Sequence, residues 1–249
     1  MSQAQLLFFQ EVIEMDIKKI DPRDYKDIRM YGTRIGEKEI LEWFEKCNGA
    51  WIHDGNPKNP HAKLSSGKCS NAFFECQVVL EHPNLNEILA CQLWKKLVKS
   101  GIKKVDWVIG SPYAAITFSY EIAKTFGATH GFAEKDPSDP SGKKMVWRRR
   151  TIPEGAVVLQ IEELVTTSNT FREVERAIRE GNKYPVDIIS TVGVLVHRPP
   201  KLPTDYGDRK VVALVEKEVW AVDSSECSLC KAGSERVRPK ANWEKLTGK

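Results

Sequence analysis

Apolar residues recur along this chain in two rhythms: a helical one of three to four residues, and short runs that are apolar at every position. The helical rhythm sets Leu6, Phe9, Val12 and Ile13 on one face and Ile40, Trp43, Phe44 and Cys47 on another, so residues 1–60 read as a helical lead-in ending in a Gly/Asn/Pro-rich loop over 55–60. The turn-forming run Ser65-Ser66-Gly67-Lys68 then leads into an aromatic, β-prone stretch over 73–80 that Pro83 closes. Asn84 with Glu87 three residues later makes a capping box, and Leu85, Ile88, Leu89, Leu93 and Leu97 form the stripe of a helix that stops at Gly101.

From there strands and helices alternate. A strand over 105–109 and a turn over 110–113 precede a helix over 114–126, which Gly127 ends, and a strand over 130–133 follows. Residues 135–144 hold two Pro-containing dipeptides, a Gly and several charges, and read as a long mobile loop before a short strand over 145–149. Buried strands are expected over 156–161 and 192–196, with a helix over 170–180 between them stopped by Gly181 and Asn182. Such alternation predicts an α/β fold with a mainly parallel central sheet flanked by helices. By pattern, the chain divides into the lead-in (1–60), a core with a small hood (61–200) and a C-terminal extension (201–249) whose tail from Ser224 is polar and weakly structured.

Composition narrows the function. With 249 residues, 41% hydrophobic and 29% charged, the chain can bury a full core. A formal net charge of +4 is too mild for a nucleic-acid footprint, and Arg148-Arg149-Arg150 on an alternating strand cannot share one face. No stretch has the apolar length to cross a bilayer, and the short apolar run at the start lacks a basic lead, so a cytoplasmic location is expected. Six cysteines without a secretory signal are expected as free thiols; Cys227-Ser228-Leu229-Cys230 has the spacing of half a zinc site, with no second CxxC or CxxH after it. Dimerisation is one source of the missing half.

The strongest chemical signal is the run from Val157 to Thr170: a buried strand, the adjacent acids Glu162 and Glu163, then Thr166, Thr167, Ser168, Asn169 and Thr170 opening a helix. In open α/β sheets, ligands sit at the carboxyl ends of strands, where a helix N-terminus offers free N–H groups to an anion. The hydroxyl residues suit a phosphate, and the carboxylates suit sugar hydroxyls and a hydrated Mg²⁺.

This segment resembles the phosphoribosyl-pyrophosphate (PRPP) motif of type I phosphoribosyltransferases: apolar strand, two acids, two apolar residues, then Thr-Thr-Gly-x-Thr/Ser. The resemblance implies that Glu162 and Glu163 contact the ribose hydroxyls, help hold Mg²⁺ through water and serve catalysis, while 166–170 wraps the 5′-phosphate. Glu163 stands where the family more often has Asp, and Ser168-Asn169 where it has Gly; Asn tolerates a left-handed turn. Ser111, Pro112, Tyr113 and Ala114 follow Gly110 in what is similar to the pyrophosphate loop. The loop over 135–144 falls where the family keeps a lid, with Lys135 as a catalytic cation and Lys143 and Lys144 beside it, although Asp136-Pro137-Ser138-Asp139-Pro140 departs from the usual lid.

Leu64-Ser65-Ser66-Gly67-Lys68-Cys69-Ser70 with Phe73 and Phe74 is similar to the base-covering signature of the orotate branch, which assigns Ser66, Lys68, one of the two Phe rings and Arg198 to the base. The resemblance thus implies a five-stranded, mainly parallel sheet with a hood, and a transferase that moves the 5-phosphoribosyl group from PRPP to a nucleobase, most similar to the orotate enzymes. It also implies a homodimer. Two other readings share the pocket: a non-catalytic PRPP or nucleotide sensor whose lid chemistry is lost, and a phosphoribosyltransferase for another base.

Overall fold

The computed structural model describes residues 35–248, so the predicted face of Leu6, Phe9, Val12 and Ile13 lies outside the described residues. Helix α1 (Glu37–Lys46) buries Ile40, Trp43 and Phe44 as their spacing requires. Strand β1 (Ala50–Ile52) follows, then β2 (His61–Lys63) and β3 (Cys69–Ser70) as an antiparallel pair, and β4 (Ala72–Phe74), which runs back along β1. The strand expected over 73–80 stops at Phe74, and helix α2 (Gln77–Leu80) replaces its remainder. Val79 and Leu80 of that helix both bury in the main core cluster. Helix α3 (Pro83–Lys99) starts one residue before the predicted capping box, with His82 at its N-cap. Pro83 opens that helix instead of closing a strand, because the first helical position needs no N–H.

Strand β5 (Trp107–Gly110), helix α4 (Ala115–Phe126) and strand β6 (Thr129–Phe132) come next, and Gly127 ends α4 in the left-handed region at φ 66°. Strands β7 (Glu134–Lys135) and β8 (Met145–Val146) pair antiparallel, so the expected loop of 135–144 is the closed end of a hairpin. Asp136 accepts the backbone N–H and hydroxyl of Ser138, and Asp139 accepts the N–H groups of Ser141, Lys143 and Lys144. These side-chain acceptors bond locally, as Asp does in turns, and give the segment a defined shape that the loop reading did not anticipate. Strand β9 (Val157–Val165), helix α5 (Asn169–Gly181), strand β10 (Asp187–His197) and strand β11 (Lys210–Glu216) complete the main layers.

The central sheet has the order β11-β10-β9-β5-β6, and all four neighbouring pairs are parallel. Alternation along the strands splits the core: Val108, Leu159 and Ile161 meet α1, α3 and α4, while Trp107, Ile109 and Val158 meet Val174, Ala177 and Ile178 of α5. Gly193 of β10 lets α3 lie close, since a Cβ there would fall 2.6 Å from the Ile161 Cδ1 and 3.2 Å from the Leu97 Cδ1. Among the described residues, no helix is long and apolar enough to cross a membrane.

The tail differs most from the sequence reading. Strand β12 (Ala221–Val222), helix α6 (Ser228–Lys231), strand β13 (Arg236–Val237) and helix α7 (Trp243–Thr247) are regular elements. Strand β12 pairs with β3 and β13 with β2, giving a second, four-stranded sheet in the order β12-β3-β2-β13. The extension therefore builds half of the hood sheet, and β11 lies within the main sheet.

Candidate active site

Strand β9 is longer than its apolar run, so Glu162 and Glu163 are strand residues and their side chains leave opposite faces. Glu162 is 1% exposed, and its carboxylate accepts the Ser111 hydroxyl at 2.5 Å. Burial, then the neighbouring Glu163 charge, pushes its pKa well above the usual carboxylate range. Glu163 lies on the other face, where burial also raises its pKa and Glu75 adds repulsion. Its Oε2 is buried with no hydrogen-bond partner. Lys135 is the cation that offsets both carboxylates.

Ser111 reaches Glu162 because β5 lies beside β9 in the sheet and the turn after it is tight. A Cβ on Gly110 would stand 2.3 Å from the Ser119 Oγ and 2.9 Å from the Ala115 carbonyl, so only glycine lets α4 begin there. The Pro112–Tyr113 peptide is cis, and Tyr113 is 73% exposed.

The chain leaves β9 through Thr166, Thr167 and Ser168 and enters α5 at Asn169. Ser168 sits at the N-cap with φ −74° and makes no side-chain cap, which leaves the first N–H groups of α5 without a capping side chain. Asn169 is the first helical residue, so the turn runs without the left-handed residue that Asn was expected to supply there. The buried Gln160 amide donates to the Phe171 carbonyl at 2.9 Å and ties β9 to that helix start.

A cleft of about 1030 Å³ faces this helix start and is lined by Thr167, Asn169 and Thr170 on one side and Lys135, Lys143 and Lys144 on the other. The structure thus brings the residues expected to wrap the 5′-phosphate into one cleft with the three lysines expected in the lid. Lys144 also pairs with Asp136 at 3.1 Å. The sequence reading missed Arg172 and Arg176, which line the same cleft. Their signal was available: with Asn169 and Glu173 they stand at i, i+3, i+4 and i+7, a polar stripe running on from the helix N-terminus.

On the other side of Glu163, the Cys76 thiol donates to the Glu163 carbonyl at 3.3 Å and interacts with Arg198. The Arg198 backbone N–H donates to the Val165 carbonyl at 2.8 Å, which fixes the residue at the end of β9. Its Nε is buried without a partner, and burial pulls the guanidinium pKa down. His197, the residue before Arg198, is buried beside Tyr206, and its Nε2 and the Tyr206 hydroxyl are 3.0 Å apart. That hydroxyl lies 3.4 Å from the Thr166 carbonyl, so Tyr206 is a further residue, absent from the sequence reading, that shapes the phosphate turn.

Other expected contacts are not gathered here. Phe74 is 4% exposed and packs edge-on against Phe44 in the main core, while Phe73 packs against Trp243 of α7 at 6.3 Å between ring centroids. Phe74 is thus a core residue, whereas Phe73 is only partly buried. Ser66 and Lys68 stand exposed in the turn between β2 and β3, where Leu64 donates to the Lys68 carbonyl at 2.9 Å, and neither lines the cleft.

No protein-family model matches the chain. Curated relatives do: among them, the orotate phosphoribosyltransferase of Pelotomaculum thermopropionicum is 34% identical over 201 residues, 81% of this chain and 95% of its own length. That of Desulforamulus reducens is 31% identical over 205 residues, 82% of this chain and 97% of its own. Among solved structures, Mycobacterium tuberculosis orotate phosphoribosyltransferase in complex with Fe(III) dicitrate aligns with a TM-score of 0.50 at 14% identity, covering 70% of this chain and 94% of that one. Leishmania donovani UMP synthase aligns at 0.51 and 18% identity over 74% of this chain, which spans only 37% of that longer protein. The structural likenesses show the fold.

Proposed function

The chain belongs to the orotate phosphoribosyltransferase family, and on that premise we propose that it transfers the 5-phosphoribosyl group of PRPP to orotate and releases pyrophosphate. The observation that carries this reading is the pair of buried, unpartnered atoms at the end of β9: the Glu163 Oε2, which can accept a hydroxyl, and the Arg198 Nε, which can donate to a carboxylate or carbonyl. Orphaned buried polar atoms are costly, and one ligand carrying a sugar hydroxyl and an acidic base would satisfy both.

As the bond to pyrophosphate breaks, positive charge develops on the ribose ring. Glu162 and Glu163 stand at the end of β9 beside Lys135, where the charge of an ionised carboxylate in water-poor surroundings would have its largest effect on that ring. On the opposite side Lys135, Lys143 and Lys144, with the uncapped start of α5, receive the phosphate charge. The oxygen donors of Glu162 and Glu163 suit Mg²⁺ held through its own water, and when bound the ion supplies charge neutralisation on the pyrophosphate oxygens.

We further assign the protein to the cytoplasm as a homodimer. Tyr120 of α4 meets His130 of edge strand β6 edge-on and His130 meets Phe132, with Tyr120 56% and Phe132 39% exposed, an aromatic patch that a second copy would cover. Pyrophosphate release from PRPP and Mg²⁺, measured with orotate, uracil or adenine, tests the function. Orotate-dependent release that disappears in Glu162→Gln/Glu163→Gln supports it. PRPP binding without release for any base favours a sensor, and release with adenine alone favours another base.

A further inference from the structure

The CxxC of the tail meets partners that lie far away in sequence. Cys227 precedes α6 and Cys230 lies within it, while His61 comes from β2 and Cys69 from β3 of the hood sheet. Their four donor atoms all lie within 4.8 Å of one another, and among the described residues no other group of three or more His, Cys, Asp or Glu is gathered in this way. The His61 Nε2 is 3.6 Å from the Cys227 Sγ and 3.4 Å from the Cys230 Sγ, and the Cys69 and Cys230 sulfurs are 3.6 Å apart.

Those spacings match one kind of occupant. A tetrahedron with Zn–S near 2.3 Å and Zn–N near 2.0 Å has S···S edges of about 3.8 Å and S···N edges of about 3.5 Å. A disulfide needs sulfurs at about 2.0 Å, and all four cysteines of the hood and tail region, Cys69, Cys76, Cys227 and Cys230, are free thiols.

The surroundings are built for ligation as well. The Ser234 hydroxyl donates to the Asn59 carbonyl at 2.6 Å, so its oxygen is left to accept from the His61 Nδ1–H at 2.8 Å. That bond fixes the tautomer in which the Nε2 lone pair faces the sulfurs, the usual supporting contact of a metal-bound imidazole. His61, Cys69 and Cys227 are buried, so a bound ion would be shielded from solvent.

We propose that His61, Cys69, Cys227 and Cys230 bind a structural zinc ion that fastens the C-terminal extension to the hood. Three soft thiolates and one imidazole select zinc in a closed, four-coordinate site with no open position for catalysis. Binding releases the thiol protons of the three cysteines to solvent and forms three Zn–S bonds and one Zn–N bond. The ion closes a loop between residues 161 apart, Cys69 and Cys230, next to the contact where the Arg236 guanidinium donates to the Gly67 carbonyl at 2.6 Å. This site stands whether or not the transferase reading holds.

The experiment is metal analysis of the full chain purified under reducing conditions without added chelator. About one zinc ion per chain is expected. Cys227→Ser and Cys69→Ser should lose most of it, whereas Cys47→Ser and Cys91→Ser should keep it. Because a ligand variant can fail to fold, two further measurements apply. Co²⁺ added to metal-stripped protein should give the visible bands of a tetrahedral site and thiolate-to-cobalt charge transfer, and His61→Cys should still bind one ion through four thiolates. A folded wild-type chain that carries no zinc, and shows no thiolate charge transfer when titrated with Co²⁺, would overturn the proposal.

Discussion

Replacing Glu162 with Gln separates what this carboxylate does for turnover from what burying it costs the fold. Gln keeps the size and an oxygen for the Ser111 hydroxyl but carries no charge. In the folded chain, burial and then the Glu163 charge raise the Glu162 pKa well above its ordinary 4.5. A folded pKa above the unfolded one means that stability is fully present below the unfolded value and declines as pH rises through the folded value. Each unit of that rise costs about 1.4 kcal/mol once the pH is above both values.

Near neutral pH Glu162→Gln should therefore melt higher than the wild type, in a domain where about 1 kcal/mol moves Tm by about 2–4 °C. The gain should shrink toward zero as the pH falls to the unfolded value, where both states carry the proton. Turnover should move the other way, with kcat down by about 10²- to 10³-fold, the usual loss when one charge-stabilising group leaves a reacting centre. Thermal denaturation across pH and pyrophosphate release on the same preparations read both effects. A variant that melts lower at neutral pH, gains equally at every pH, or keeps its turnover would refute the reasoning.

Three further outcomes follow from the same geometry. Lys135→Ala removes the cation that offsets both Glu162 and Glu163, so kcat should fall by about 10²-fold and KM for PRPP should rise, as read by pyrophosphate release. Gly110→Ala forces a Cβ to within 2.3 Å of the Ser119 Oγ, and the overpacking should cost about 1–3 kcal/mol in denaturant unfolding. Arg209→Ala breaks the ion pair with Glu175, where, against the upward push of burial, Arg209 and Arg179 hold the carboxyl below its ordinary pKa. The loss should be about 3 kcal/mol at neutral pH and should fade on acidification, because that contribution exists above the unfolded pKa and disappears as pH falls through the folded one.

Much of this was legible from local pattern. The run from Val157 to Thr170 carries its own instructions, an apolar strand, acids at its carboxyl end and hydroxyls at a helix start, and the structure realises them within the same fourteen positions. Gly127 ended its helix for the same reason: a left-handed stop needs no distant partner. What stayed hidden depends on contacts between remote segments. Which of Phe73 and Phe74 belongs to the core is decided by Phe44, which packs against Phe74, and by Trp243, 170 positions further on from Phe73, which packs against Phe73. The CxxC looked incomplete because its partners were sought after it, while His61 precedes Cys227 by 166 residues and Cys69 precedes Cys230 by 161.

These two kinds of information position two separate groups of residues by different means. Glu162, Thr167 and Thr170 stand on the main sheet and the start of α5, and nothing in the tail touches them in the described hydrogen bonds. The turn over 64–68, which resembles the base-covering segment, is instead supported from behind by β12, β13, Arg236 and the Cys/His cluster. Loosening that support should therefore disturb the base before it disturbs PRPP. Removing the metal with a chelator should raise KM for orotate several-fold, while KM for PRPP stays within about twofold, since ground-state binding of each substrate depends only on the groups that hold it. Equal rises in both would mean that the tail supports the whole domain, and no change in either would detach the hood turn from the base.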